Sequence, residues 1–396
     1  MDLKRSFDVV VVGAGIAGAA TAYYLSQAGR KVALVDTHHP GWGASGRNPG
    51  FLWLQTKAAG LPMQFSLACR DFAATLPDLF GDFGFRASGG LVIYRDEAYA
   101  AVADAFVADR RAAGLPVEHI DRRALLELCP DIGPEVSGAV YNPLDAHQDT
   151  RVLLRRLVEA FEGAGGTVVA PARVAALDVQ GDRCRGVRLA DGSDIAAGTV
   201  VVAAGPWMND LLGPAGLAIP FQPVRFEAAA TPPAPFRIGP VVAGQALFRF
   251  FVPPGMSADA FPLEPSQAIR PELGFTEQIA SLADGSIQFG CAYEAGSMLD
   301  QATVAGQAMA CSIQCRNFPA LAALPVVRQW AGVVVQTPDA LPVIDADTGL
   351  DGLVINSGHF FGNLAGAFSG SLVAQIVEGR TPSYPVDGFS RRRFAS

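Results

Sequence analysis

The sequence predicts an α/β protein, and three features of its first forty residues carry that prediction. The β-branched run Val9-Val10-Val11-Val12 passes straight into Gly13-Ala14-Gly15-Ile16-Ala17-Gly18. Ala22, Leu25 and Ala28 then keep helical spacing up to Gly29. A second apolar run, Val32-Ala33-Leu34-Val35, closes on Asp36. A continuous β-branched run marks a strand buried on both faces of a parallel sheet, and strand, helix, strand in this order is a βαβ unit.

Each glycine has a separate task. Gly13 permits the tight turn, Gly15 lets the backbone approach a pyrophosphate, and Gly18 lets the helix pack closely on the strand. The helix start offers unpaired N–H groups and a positive dipole end to two phosphates. Asp36, 18 residues beyond Gly18, is placed to accept hydrogen bonds from a ribose. The unit therefore reads as a dinucleotide site, and an acid at position 36 disfavours a 2′-phosphate.

At 396 residues, 50% hydrophobic and 17% charged, the chain is too apolar for disorder and too long for one core, so two domains are expected. A net charge of −8 opposes nucleic acid as a main partner. The apolar runs are strand-length, so no membrane-spanning segment is expected. The N-terminus lacks the apolar stretch of a secretory signal, which points to the cytoplasm. Six scattered cysteines, with Cys311 and Cys315 the closest pair, read as reduced core thiols. The three lysines, Lys4, Lys31 and Lys57, all lie in the first 57 positions.

Further elements follow in order. Asp149 is a good N-cap for a helix carrying Leu153, Leu154, Leu157, Val158 and Phe161 on one face, stopped by Gly163-Ala164-Gly165-Gly166. Short strands are predicted at Thr167-Val168-Val169 and at residues 185–189, with the turn Ala190-Asp191-Gly192-Ser193 leading to a buried strand at 199–204. Residues 214–271 are rich in proline and phenylalanine, with Pro232-Pro233 and Pro253-Pro254 as breakers, and read as irregular strands and loops of another domain. Residues 352–359 read as strand then glycine turn, and residues 372–378 as helix.

The residues after Asp36 narrow the reading. The loop Gly43-Ala44-Ser45-Gly46-Arg47-Asn48-Pro49-Gly50 and the segment Phe51-Leu52-Trp53 come first. The strand end Ala203-Ala204-Gly205-Pro206-Trp207, the segment Thr337-Pro338-Asp339-Ala340-Leu341-Pro342-Val343-Ile344 and the Gly358-His359 turn follow. Together they resemble the D-amino-acid-oxidase-like FAD-dependent oxidoreductases, a family that includes glycine oxidase, sarcosine oxidase and γ-glutamylputrescine oxidase. The resemblance spans nearly the whole chain and is weakest between Pro220 and Leu324.

What the resemblance implies is an FAD-binding, Rossmann-like domain of the glutathione-reductase type, with an interleaved α+β substrate domain on a mostly antiparallel sheet. The FAD domain would comprise 1–60, 145–215 and 326–396, and the substrate domain 61–144 and 216–325. FAD contacts are implied at Gly13, Gly15, Ile16, Ala17, Gly18, Asp36, Ser45, Gly46, Arg47 and Asn48. More are implied at Val174, Ala204, Gly205, Trp207, Gly332, Asp339, Gly358, Phe360, Phe361, Gly362, Asn363 and Leu364. The glycine turn at 358 would lead into a helix whose N–H groups sit near the flavin carbonyl, stabilising negative charge on a reduced ring.

Departures from the family pattern are informative. No cysteine lies near the Thr-Pro-Asp motif and no histidine in the loop 45–50, so a non-covalent flavin is expected. Gln288 takes the place of the lysine that promotes oxygen reduction in sarcosine oxidases, which weakens the case for O2 over another electron acceptor. The carboxylate-binding arginines of glycine oxidase correspond here to Val334 and Phe361, which leaves Arg249 and Arg270 as candidates for that role.

The expected reaction is oxidation of the C–N bond of an amine or amino acid to an imine, by hydride transfer to the flavin. Candidate residues near the reacting centre are His359, Tyr293 and Arg249. Glu294 reads as a solvated strand end and His147 as a loop residue. Two other readings stay open: a flavin monooxygenase, for which no second nucleotide motif is found, and a flavoprotein subunit of an electron-transfer complex.

Overall fold

A computed structural model describes residues 6–250, 252, 255–257 and 272–395, with the side chains of Arg249 and Phe250 left out. Arg270 lies outside the described residues, and so does the side chain of Arg249.

The first sheet is built on the predicted βαβ unit. Strand Ser6–Val12, helix Ile16–Gln27 and strand Val32–Val35 lie where the sequence places them. The eight-stranded sheet runs 343–345, 353–357, 194–202, 6–12, 32–35, 167–169, with 183–189 and 174–180 as an antiparallel flap. Its central pairings are parallel, Val10 opposite both Val200 and Ala33. Successive side chains of the opening strand enter different cores. Val9 and Val11 pack with helices 16–27 and 362–377, whereas Val10 and Val12 pack with Met208, Leu211 and Leu212. A strand buried on both faces needs an unbroken apolar run, and each such valine stabilises by roughly 1.5–3 kcal/mol.

The second sheet has nine strands in the order 328–336, 222–233, 286–295, 279–281, 241–244, 90–94, 138–142, 118–121, with 274–275 paired to 286–295. It is antiparallel except where 241–244 runs parallel to 90–94. One face, with Leu91, Ile93, Val242 and Ile287, packs on helix Val304–Asn317. The other, with Val92, Tyr94, Val241 and Ala280, meets helices Leu61–Phe80 and Ala98–Ala112. Residues 328–336, grouped by sequence with the first unit, pair in this second sheet.

The stretch expected to be irregular is corrected in part. Gln222–Pro233 is a continuous twelve-residue strand lying between two others, with register shifts against 286–295 after Glu227 and after Ala230. Its run of buried alanines and its proline-bearing ends hide it, since a strand covered on both faces shows no alternation. Pro233 does end it. Arg249 lies in a short helix, Ala246–Phe250, rather than a strand. The C-terminal helix spans Gly362–Val377, starting ten residues before the predicted one.

Candidate active site

A cavity of about 460 Å³ opens at the C-terminal edge of the first sheet, where the parallel strands end. Three separated pieces of chain line it. The first supplies Gly13, Gly15, Ile16, Ala17, Asp36, Ser45 and Asn48. The second supplies Val174, Ala204, Gly205 and Trp207. The third supplies Gly358, His359, Gly362 and Asn363. The remaining implied contacts, Gly18, Gly46, Arg47, Gly332, Asp339, Phe360, Phe361 and Leu364, are not among its lining residues.

The glycine turn is built for close approach. Gly13 has φ +106°, and a Cβ there would come 2.4 Å from the Ala203 carbonyl oxygen. At Gly18 a Cβ would sit 1.9 Å from the Gly13 carbonyl oxygen, so strand and helix meet with no room for a side chain. The helix begins on extended Gly15, and its first amide is capped from a distance: Ile16 N–H donates to Ser45 Oγ at 3.0 Å. Asp36 holds the turn from the other side, its Oδ2 accepting from Ala14 N–H at 2.6 Å and its Oδ1 from His38 N–H at 2.8 Å. The predicted ribose acceptor is thus also a strut of the loop it faces.

Residues that the sequence reading passes over also line the site. His38 stacks on Trp42 at 3.9 Å, and Trp42 lies 6.0 Å from Trp207; all three line the cavity. The aromatic at 42 beside the glycine loop is the available signal. Arg47 turns away from the cavity: its guanidinium donates to the Ala331 carbonyl at 3.0 Å, pairs with Asp300 at 3.3 Å and packs on Trp42. It clamps the loop to the second sheet, and Gly332 leaves room for its Cβ, 3.1 Å from where a side chain would start. Asp339 pairs with Arg393 at 2.7 Å, tying down the C-terminus.

At the other end, helix Gly362–Val377 points its unpaired N-terminal N–H groups at the cavity, with no side-chain cap. Gln148 Nε2 donates to the Asn363 carbonyl at 2.7 Å, and Asn363 Nδ2 donates to the Phe51 carbonyl, fixing the helix start. His359 Nε2 meets Ser369 Oγ at 2.9 Å. That hydroxyl already donates to the Gly366 carbonyl, so Nε2 carries the proton. Burial pulls His359 down to about 4, and the imidazole is neutral at pH 7. Tyr293 does not line the cavity. Its ring packs 5.6 Å from Phe226, which in turn lies 6.1 Å from Phe360.

Two sequence expectations change. His147 is not a loop residue. It pairs with Phe51 in a two-stranded ribbon, with Nε2 3.2 Å from the Pro49 carbonyl. Burial, reinforced by the nearby Arg86, lowers its pKa to about 3. Glu294 is not simply solvated, because its carboxylate pairs with buried Arg225 at 2.7 Å.

The elongated lining, the glycine cradle at Gly13–Gly18 and the helix N-termini at Ile16 and Gly362 fit an extended dinucleotide, which these residues would hold. The model of the DAO family, described as FAD dependent oxidoreductase, matches residues 8–376. The chain belongs to this family. As in the rest of the DAO family, its cofactor is FAD and its activity is that of an FAD-dependent oxidoreductase.

Glycine oxidase of Geobacillus kaustophilus is 25% identical over 402 residues, covering 99% of this chain and 98% of that protein. An opine oxidase subunit of Rhizobium meliloti is 26% identical, covering 98% and 97%. The crystal structure of the Geobacillus kaustophilus glycine oxidase superposes with a TM-score of 0.84 at 22% identity, covering 98% and 99%. Among the described residues no group of His, Cys, Asp or Glu is arranged to hold a metal ion. Nor is any helix among them long and apolar enough to cross a membrane.

Proposed function

We propose that this chain oxidises the C–N bond of an amine or amino acid to an imine, which water hydrolyses after release, and passes the electrons to O2 or another acceptor. The observation that carries the reading is the continuity of the cavity from the glycine loop to the Gly362 helix, where the second sheet begins. There an aromatic chain, Phe361, Phe360, Phe226 and Tyr293, links the helix start to the sheet. The second sheet with its flanking helices is the proposed substrate-binding unit.

Bound FAD supplies the hydride acceptor. The residues of the chain do the rest. The N–H groups of Gly362 and Asn363 stabilise negative charge developing at the end of the cavity. The rings of Phe226, Phe360 and Phe361 pack on one another beside the helix start and keep the join between that helix and the second sheet apolar. His359, neutral and pinned by Ser369, adds no competing positive charge and holds the Gly358 turn. Deprotonation of the amine frees the lone pair that stabilises the forming iminium, so no obligatory acid–base residue is invoked.

None of the six cysteines lines the cavity, which supports a non-covalent flavin. Denaturation should then release all the yellow colour into the soluble fraction. The decisive test is an anaerobic screen of primary amines, secondary amines, and D- and L-amino acids, watching the flavin absorbance. Bleaching by one class supports the reading; consumption of NADPH by the holoenzyme, with no bleaching by any amine, overturns it. Readmitting oxygen then identifies the acceptor. The similarity to an opine oxidase subunit gives a reason to measure reoxidation with artificial acceptors as well.

A further inference from the structure

His359 carries a lone pair that the fold leaves unused. The residue lines the cavity at the turn between Gly358 and the Gly362 helix. Its ring is fixed from behind: Nε2 meets Ser369 Oγ at 2.9 Å, and that hydroxyl donates to the Gly366 carbonyl at 3.0 Å. Burial keeps the ring neutral at pH 7. Its one proton therefore sits on Nε2, and Nδ1 is an acceptor. Among the described residues Nδ1 has no hydrogen-bond partner, and it stays open to the cavity.

The surroundings define what this lone pair can meet. Helix Gly362–Val377 starts on the same turn without a side-chain cap, so the N–H groups of Gly362 and Asn363 are open donors beside it. Ser357 Oγ is spent on the Val202 carbonyl at 2.9 Å, and Val333, Val334 and Val335 bring only apolar side chains to the lining. A donor beside an acceptor is the complement of a carbonyl beside an N–H, which is the edge of an imide. In FAD that edge belongs to the flavin, whose N3–H lies between two carbonyls; a sugar hydroxyl donates or accepts freely and needs no such pair. Once a ligand fills the cavity and expels water, an acceptor left without a donor pays its full desolvation penalty.

We infer that His359 Nδ1 is the hydrogen-bond acceptor for the flavin N3–H of the bound cofactor, with the adjoining carbonyl left to the N–H groups of Gly362 and Asn363. This role depends on the FAD of the family and not on which substrate is oxidised. Because the Nε2 proton is committed to Ser369, the ring cannot turn donor toward the cavity. It therefore accepts an N–H and discriminates against an alkylated nitrogen at that place.

The probe is 3-methyl-FAD, in which a methyl group replaces the N3 proton. Holoprotein is equilibrated with mixtures of FAD and 3-methyl-FAD, and the bound flavins are counted after separation. In parallel, the N3 proton is followed by NMR in holoprotein carrying FAD labelled with heavy nitrogen at N3. Wild type should prefer FAD by about 30-fold, with an N3 proton downfield of that in free FAD and slow to exchange with water. His359→Phe keeps the volume of the ring and loses the acceptor; it should lower the preference about tenfold and return the proton to fast exchange. His359→Asn, whose amide oxygen can stand in for Nδ1, should retain most of the preference and of the slow exchange. Both variants lose the Ser369 contact, so the difference between them isolates Nδ1.

A wild-type protein that binds the two flavins equally well overturns the inference. So does a His359→Phe protein that keeps the wild-type preference, since shape alone then excludes the methyl group. Equal losses in His359→Phe and His359→Asn overturn it as well, and make His359 a support of the turn acting through Ser369. If either variant fails to fold, wild type with heavy nitrogen in its histidines too decides the matter. A scalar coupling between flavin N3 and the imidazole Nδ1 supports the assignment, and an N3 proton without that coupling overturns it.

Discussion

The two sheets solve different problems with different parts of the chain. The first presents backbone: its cavity is shaped by glycines, by N–H groups at two helix starts and by strand ends, with only a few side chains such as Ser45, Asp36 and Asn363 as struts. The second presents side chains and buries charge to hold them. Arg225, wholly buried, pairs with Glu227 at 2.8 Å and Glu294 at 2.7 Å. Glu227 also accepts from Thr303 N–H and Thr303 Oγ1, each at 2.8 Å, which seats helix Val304–Asn317 on the sheet. A second buried pair, Arg95 and Glu277 at 2.9 Å, fixes the same helix through Asn317. A site made of backbone tolerates almost no added atom. A sheet held by ion pairs tolerates volume better than loss of a charge.

Glycine substitutions expose that contrast most strongly. Gly18→Val places its first carbon 1.9 Å from the Gly13 carbonyl oxygen, and the βαβ unit cannot close. Loss of both folded protein and flavin is expected, read by expression, circular dichroism and absorbance. Gly15→Val is gentler on the fold, because its Cβ would meet only Ser45 Oγ at 3.2 Å. It should stay folded yet lose flavin by blocking the pyrophosphate approach. A yellow Gly15→Val protein would place the dinucleotide elsewhere.

Glu227→Ala probes the second sheet. Removing one partner of a buried pair costs about 3–5 kcal/mol, because the other charge stays buried. Denaturant unfolding should show that loss, with flavin binding by the surviving folded protein close to wild type. A loss below about 1 kcal/mol would show that Glu294 alone satisfies Arg225.

Histidine titration sharpens the boundary between the two regions. His147 and His359 are lowered to about 3 and about 4, chiefly by burial. For a depressed histidine the unfolded chain binds the extra proton, so stability is complete above the ordinary pKa of about 6.5 and drains away as pH falls through that value. By pH 4 each should remove roughly 3 kcal/mol. In His147→Gln the fall between pH 6.5 and pH 4 should be shallower than in wild type. Parallel pH curves for the two proteins would mean that His147 is solvated.

These differences explain what can be read from the chain itself. The Gly13–Gly18 turn, the Asp149 cap and the strand at 32–35 depend on neighbours within a few residues, so local pattern reveals them. Arg225 and Glu294 are 69 residues apart, and Arg47 reaches the Ala331 carbonyl across 284. No periodicity connects such partners, which is why Glu294 reads as solvated and Arg47 as a cofactor contact. Lys57 is visible as one of three lysines, but its burial beneath Phe361 depends on the fold bringing residues 57 and 361 together. From its own residue pattern, helix Gly362–Val377 is legible only over its last six residues, 372–377. Its glycine-rich first turns, which favour loops on propensity, are selected by packing: a Cβ at Gly366 would lie 2.5 Å from Ile16 Cγ2, and one at Gly370 2.6 Å from Ala20 Cβ.

The smallest effect tests whether the backbone site owes anything to side chains. Ser45 Oγ accepts the Ile16 N–H at 3.0 Å, substituting for the cap that extended Gly15 cannot provide. Ser45→Ala leaves that amide without its protein acceptor, an expected loss of about 1 kcal/mol in the apoprotein. If the cavity binds phosphate oxygens at the same helix end, the freed N–H gains an alternative acceptor once flavin is present. The holoprotein should then lose less stability than the apoprotein. Equal losses in both forms would mean that Ser45 serves the helix alone and that the ligand does not reach Ile16.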